Sequence, residues 1–135
     1  KENTLPPLVD HLRRMLSQPI PSELEAPVAA IRSSLDSIVQ MAGRMMQEGP
    51  AFAQSAARGF AFSIARTSMA ALLVHHACWA RDRQSLVIAQ RWCRQDLSPQ
   101  IRPDDQHRMD TRMIALALSP NADEAALEME EMIAG

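Results

Sequence analysis

The chain reads as an all-α protein, an antiparallel bundle of about four main helices with a short two-helix C-terminal appendage. Three observations point there. Apolar residues recur at three- and four-residue spacing over long stretches, and Ala, Leu, Ile and Met fill most of those positions. Strand signals are weak, with few alternating β-branched or aromatic runs and no Asn-Gly or Asp-Gly hairpin turn. Prolines and glycines fall where helices should start or stop, as at Gln18–Pro21, Gly49-Pro50 and Ser98-Pro99.

Taken in order, Lys1–Thr4 is a polar lead-in, and Pro6-Pro7 opens a helix over 5–17 that places Leu8, Leu12, Met15 and Leu16 on one face. Gln18-Pro-Ile-Pro21 ends it, because proline disfavours helical geometry in the residue before it. Ser22-Glu-Leu-Glu25 has the form of a capping box, in which the Ser22 oxygen accepts from the Glu25 amide. Behind it a helix over 22–48 carries Val28, Ile31, Leu35, Ile38, Ala42 and Met45 as one seam. Gly49-Pro50 closes that helix. A third helix over 51–81 is apolar on nearly all sides, the mark of a central helix that neighbours surround. Within it, Gly59 suggests a close helix crossing. Arg81-Asp-Arg83 forms a polar corner, and a fourth helix over 84–97 carries Leu86, Ala89, Trp92 and Cys93. Residues 1–99 thus make the bundle. Residues 100–135 make the appendage, with shorter helices near 105–118 and 121–133 separated by Ser119-Pro120.

The chain has 135 residues, 47% of them hydrophobic, enough for one real core and too apolar for a disordered segment. The formal net charge of −2 draws it neither to nucleic acid nor to an anionic membrane in bulk. The distribution is uneven, since residues 51–112 carry nine arginines against five acids and residues 113–135 carry five acids and no base. The longest apolar run, Met69–Val74, is far too short to span a bilayer. Cys78 and Cys93 show no CxxC spacing and no secretory signal precedes them, so free thiols in an intracellular protein are expected. The chain opens at Lys1 with neither Met nor a targeting signature, which leads us to expect a piece of a longer or processed protein.

No catalytic motif follows from the residues. His75, His76 and Cys78 invite a zinc reading, but adjacent helical histidines point about 100° apart, and His11 and His107 lie in other elements. A packed or hydrogen-bonded role for His75 or His76 is expected instead. Cys78 and His75 share a helix face, yet apolar surroundings raise a thiol pKa and argue against a nucleophile. Met41, Met45, Met46, Met109 and Met113 fill core gaps or form part of an interface. Glu124, Glu128 and Glu131 make a solvated acidic face. Arg81, Arg83, Arg91 and Arg94, with Trp79 and Trp92 near them in sequence, are the candidate contacts for a phosphate or a partner. We expect no catalytic, cofactor-binding or metal-binding residue in this chain.

Three pieces carry a resemblance: Gly59-Phe-Ala-Phe-Ser-Ile-Ala-Arg66, Ala70-Ala-Leu-Leu-Val-His-His-Ala77 and Ala89-Gln-Arg-Trp-Cys93. They are similar to the C-terminal helical region of the acyl-CoA dehydrogenase superfamily, most of all to its AidB-like branch, in which an extra helical domain follows the dehydrogenase core. The lead-in Asn3-Thr4-Leu5 and Pro7–Leu12 resembles the segment entering that domain, so the likeness covers residues 3–97. It implies a tetrameric parent flavoprotein with FAD bound in its core, and a dehydrogenase-type core polypeptide or sister subunits as partners. AidB-like members are also linked to alkylation defence and to DNA binding through this region, although this chain lacks the strong basic excess of a DNA-binding version. Flavin ligands and the glutamate base belong to the core and have no counterpart here. Three readings follow: a non-catalytic packing or oligomerisation domain of such an oxidoreductase, a stand-alone helical interaction module, and, third, a nucleic-acid contact through the arginine corner.

Overall fold

The computed structural model describes residues 3–98, 113–114 and 130–134. The described part is all-α. Four helices, α1 (Leu5–Met15), α2 (Glu25–Glu48), α3 (Pro50–Ala80) and α4 (Arg83–Cys93), are joined by short connections, with one 3-10 turn over Ser22–Leu24. The two C-terminal helices expected near 105–118 and 121–133 lie almost wholly outside the described residues, which there include only helical Met113-Ile114 and Glu130–Ala134.

Helix α1 starts on Pro6 and Pro7, whose missing N–H groups cost nothing in a first turn. The Asn3 side chain accepts from the Leu5 amide at 3.3 Å just ahead of the helix, while Thr4 at the cap position makes no side-chain cap bond. The helix ends at Met15, two residues before the expected stop, because Ser17 folds back and its amide and hydroxyl both donate to the Arg14 carbonyl. Its buried line is Val9, Leu12 and Leu16, with Leu8 and Met15 half-buried at the flanks.

The capping box is not formed. Leu24 is fully buried, and drawing it into the core tightens Ser22–Leu24 into a 3-10 turn. The Glu25 amide then donates to the Ser22 carbonyl rather than to its hydroxyl, which instead donates to Glu23 at 3.4 Å. Helix α2 therefore starts at Glu25. Pro27 falls in its first turn, where no intrahelical N–H is needed, and packs inward. The expected seam is present: Val28, Ile31, Leu35 and Ile38 are buried, while Ala42 and Met45 are half-buried and Met41 takes the deeper position.

Gly49 links α2 to α3 at φ +90°, ψ −177°, a conformation open essentially only to glycine, and Pro50 then starts α3. Helix α3 is the hub, since α1, α2 and α4 all pack against it. Val74, Ala70, Ala71 and Ala77 form the contact surface with Gly59, Ser63 and Thr67, all buried. Small residues along this arc let the neighbouring helices approach closely. Three of the buried groups are polar: Ser34 and Thr67 share a 2.7 Å hydrogen bond between α2 and α3, and Ser63 donates to the Gly59 carbonyl at 2.9 Å. Sequence patterning had assigned these positions no part in the core.

Helix α3 is not enclosed on all sides, however. One long face is left open by the three neighbours, and Phe62, Met69, Leu72 and Trp79 stand on it. Helix α4 stops at Cys93 rather than running to Leu97. The Arg94 and Gln95 amides donate to Gln90 and Trp92 carbonyls, and the Asp96 side chain accepts from the Ser98 amide, turning the chain before Pro99. Leu97 is nevertheless buried after the turn.

Candidate docking surface

The α3–α4 hairpin shapes this surface. Its corner is built from two capping devices. Arg81 adopts the left-handed conformation (φ 54°, ψ 31°) that ends α3, its amide donating to the Ala77 carbonyl. Asp82 then caps α4, its two carboxylate oxygens accepting from the Ser85 amide at 2.7 Å and the Ser85 hydroxyl at 2.8 Å. The Ser85 amide, then its hydroxyl, hold the Asp82 carboxyl below its ordinary range, with smaller help from the Gln84 amide and the charge of His76. The two helices are tied further along. The Trp92 indole N–H donates to the Arg66 carbonyl at 3.1 Å, and the Arg66 guanidinium reaches the Asp96 carbonyl at 3.4 Å.

On the open face of α3, Phe62, Ala65, Met69, Leu72, His76 and Trp79 follow one another at alternating spacings of three and four residues, and all six are exposed. Phe62 is 47% exposed, Met69 44%, Leu72 51% and Trp79 78%, so this is a continuous apolar line rather than scattered side chains. Its ends are decorated: the Arg58 guanidinium lies 5.8 Å from the Phe62 ring centroid, and the His76 and Trp79 rings sit 5.9 Å apart.

The four arginines singled out in the sequence separate into two places. Arg83, Arg91 and Arg94 fall with Val87 at spacings of four, four and three along one exposed ridge of α4. Arg81 sits apart, in the corner. None of the four makes an ion pair with a described residue. Arg83 and Arg94 are eleven residues apart, a rise of about 16 Å at 1.5 Å per residue, so they form a cationic ridge and not a single anion pocket. Val87 and Ile88, 40% and 45% exposed, interleave it with apolar surface. From Pro50 to Gln95 the chain carries six arginines and one acid, Asp82, which is engaged as a cap.

The remaining candidates resolve into structural roles. His75 Nδ1 is 3.1 Å from the Gln18 amide nitrogen and so joins α3 to the loop after α1, while His76 turns to Trp79. His11 is exposed on α1, and His107 lies outside the described residues. Among the described residues no three His, Cys, Asp or Glu side chains come together as metal ligands. Both cysteines are free, and burial raises the Cys78 thiol and pushes Cys93 up to about 11, so neither is thiolate at neutral pH. Met41 is buried, Met45 and Met113 half-buried, and Met46 79% exposed. Met109, Glu124 and Glu128 lie outside the described residues, whereas Glu131 is exposed. A cleft of about 210 Å³ between the start of α2 and the end of α4 is lined by Glu23, Ala26, Pro27, Gln90, Cys93 and Arg94. That is smaller than the roughly 300–1,000 Å³ of cofactor and drug-sized sites, and these residues do not fit FAD. Among the described residues no helix is long and apolar enough to cross a membrane.

The open α3 line was missed because apolar residues on every side of a helix read as burial on every side. The signal was present in the alternating three-and-four spacing from Phe62 to Trp79 and in the absence of any acid on that helix.

Comparison with known proteins gives one family. The family model described as acyl-CoA dehydrogenase 11 C-terminal domain-like matches residues 5–117. No curated protein and no solved structure matches the chain.

Proposed function

Given that the chain belongs to the acyl-CoA dehydrogenase 11 C-terminal domain-like family, we propose that it serves as a non-catalytic packing domain of an acyl-CoA-dehydrogenase-like flavoprotein. In this reading FAD and the substrate chemistry reside in a core polypeptide, and this domain docks on that core or on a sister subunit to hold the assembly together. The observation that carries it is the exposed apolar line from Phe62 to Trp79 on a helix whose other side is closely packed. A surface of that kind on a folded domain is unfavourable in water and marks a contact. The AidB-like placement belongs to the same proposal. It is supported by Gly59–Arg66, Ala70–Ala77 and Ala89–Cys93, the first two of which build α3 and the third the end of α4.

The test is purification of the full-length parent and of this chain by itself. The parent should show visible flavin absorbance and sediment as an oligomer, and this chain should be colourless and helical. In the parent, Leu72→Asp should increase protease sensitivity at the junction with this domain, or lower the sedimentation coefficient, while flavin remains bound. A colourless parent, or flavin bound by this chain alone, refutes the proposal.

A further inference from the structure

We propose that the acidic C-terminal segment of this chain, residues 121–134, folds back onto the α3 line as an amphipathic helix and covers it until the core displaces it. The displacement rests on the docking reading above, whereas the cover stands on this chain alone.

Where the chain leaves the bundle gives the first argument. The Trp92 indole donates to the Arg66 carbonyl, and the Arg66 guanidinium reaches the Asp96 carbonyl at 3.4 Å, so the turn after α4 lies alongside Arg66. Arg66 stands four residues after Phe62 and three before Met69, one helical turn from each. Residues 99–135 therefore set out from beside the Phe62–Met69 half of the line. Fully extended, the stretch from Ser98 to Asn121 reaches about 75 Å, some three times the roughly 26 Å from Phe62 to Trp79. Residues 121–134 as a helix span roughly 21 Å, most of that length.

Charge and pattern select the segment. Helix α3 has no Asp or Glu; its formal charges are Arg66 and Arg58, the latter over the Phe62 ring at 5.8 Å. Neither guanidinium pairs with a carboxylate among the described residues. Residues 113–135 carry five acids and no base, so they bring carboxylates to that end of the line, whereas α3 of a second copy brings none. Ala122, Ala126, Met129 and Ile133 recur at spacings of four, three and four, and Glu124, Glu128 and Glu131 fall on the other side of the same helical repeat. The described end of this segment, Glu130–Ala134, is helical, and its Ile133 is 70% exposed. Ile133 and the α3 line are thus two open apolar surfaces of one chain, and joining them in one chain gives an effective concentration on the order of millimolar. Residues 121–134 also lie beyond the stretch 5–117 that matches the family, so the bundle common to the family does not include them.

The experiment places a benzophenone side chain at Leu72 of the 135-residue chain and illuminates it in dilute solution. Trypsin cuts after Arg112 and finds no Lys or Arg beyond it, so residues 113–135 leave as one peptide for mass spectrometry. The expected product joins that peptide to α3 within a single chain. Its yield should fall about tenfold in Met129→Asp/Ile133→Asp, and should also drop in Arg58→Glu, with the far-ultraviolet circular dichroism unchanged. A benzophenone at exposed Val39 on α2 should not give it. A product linking two chains overturns the cover in favour of a second copy, and no capture of residues 113–135 overturns it outright. The same side chain in the full-length parent separates the two readings. Capture of a core segment there in place of residues 113–135 supports cover and displacement together. Capture of residues 113–135 alone in the parent keeps the cover and overturns docking at this face. Core capture in the parent with no product in the isolated chain overturns the cover and leaves the docking reading standing.

Discussion

The hydrogen bond between Ser34 and Thr67 decides which face α3 turns outward. Thr67 lies on the side of α3 opposite Met69 and Leu72, so anchoring it to α2 fixes the rotation that presents the apolar line to solvent. The two hydroxyls are 2.7 Å apart in a dry setting, with Thr67 0% and Ser34 4% exposed. Thr67→Val keeps the shape of the side chain and removes its oxygen. The Ser34 hydroxyl is then buried without its partner, and an orphaned buried hydroxyl costs about 1–3 kcal/mol. For a chain of 135 residues each kcal/mol moves the melting temperature by roughly 3–5 °C, so a drop of about 3–15 °C is expected. Ser34→Ala leaves the Thr67 hydroxyl in the matching position and should cost a similar amount, the lower end of the range holding for either variant if the remaining hydroxyl turns to the carbonyl one helical turn back. The double variant removes both polar groups and should recover most of the loss, giving a coupling of about 1–2 kcal/mol. Urea unfolding followed by circular dichroism, with equal m-values across the four proteins, measures this directly. Additive single effects, or a Thr67→Val variant as stable as the parent chain, would refute the claim that this bond joins α2 to α3.

Two other predictions concern the hairpin. Arg81→Gly relieves a left-handed backbone at a non-glycine residue, which costs roughly 1–2 kcal/mol, and should raise the unfolding free energy by about 0.5–1 kcal/mol after the loss of denatured-state order. A melting temperature that falls would show that the Arg81 side chain holds the corner. Cys93, pushed by burial from 9.0 to about 11, should react with iodoacetamide far more slowly than a free thiol at pH 8, and Cys78 should be modified first, since it is only half-buried. Because the folded-state pKa is raised, the stabilisation linked to Cys93 is complete below pH 9 and is lost as the pH climbs through about 11. Mass spectrometry of timed alkylation across that window checks it, and equal labelling of both thiols at pH 8 would contradict the burial of Cys93.

The helical bundle was legible in the sequence because its strongest cue is periodic. The seam from Val28 to Ile38 reads the same in the chain and in the packed helix. Caps were harder to read. Ser22-Glu-Leu-Glu25 satisfies the pattern of a capping box, yet Leu24 wins a buried position and pulls the turn into another hydrogen-bonding scheme. Asp82 makes its cap in a stretch that read only as a polar corner. Ser34, Ser63 and Thr67 were invisible as core residues because a hydroxyl is buried only when a partner is present, and partners come from tertiary structure. The arginine group was legible as composition but not as geometry: Arg83, Arg91 and Arg94 share a ridge, while Arg81 is taken by the helix terminus.

The same limit explains why the open face of α3 was not foreseen. Periodicity reports that a helix face is apolar and is silent on whether the cover comes from its own chain. In α3 the two cases lie side by side. Val74, Ala70, Ala71 and Ala77 are at most 1% exposed, and Leu16, Leu24, Ile31 and Leu35 close the other walls to the same degree, so the core is complete without the outer line. Leu72 and Trp79 therefore add little to the folding of this domain, whereas burying a side chain of that size in a contact contributes about 1.5–3 kcal/mol. Substitutions there should separate the two properties. Leu72→Ser should leave the isolated domain within about 1 kcal/mol of its starting stability, as expected for a half-exposed residue. A loss of stability larger than that in urea unfolding would mean that Leu72 belongs to the fold, and would count against the proposal that the outer line meets a partner.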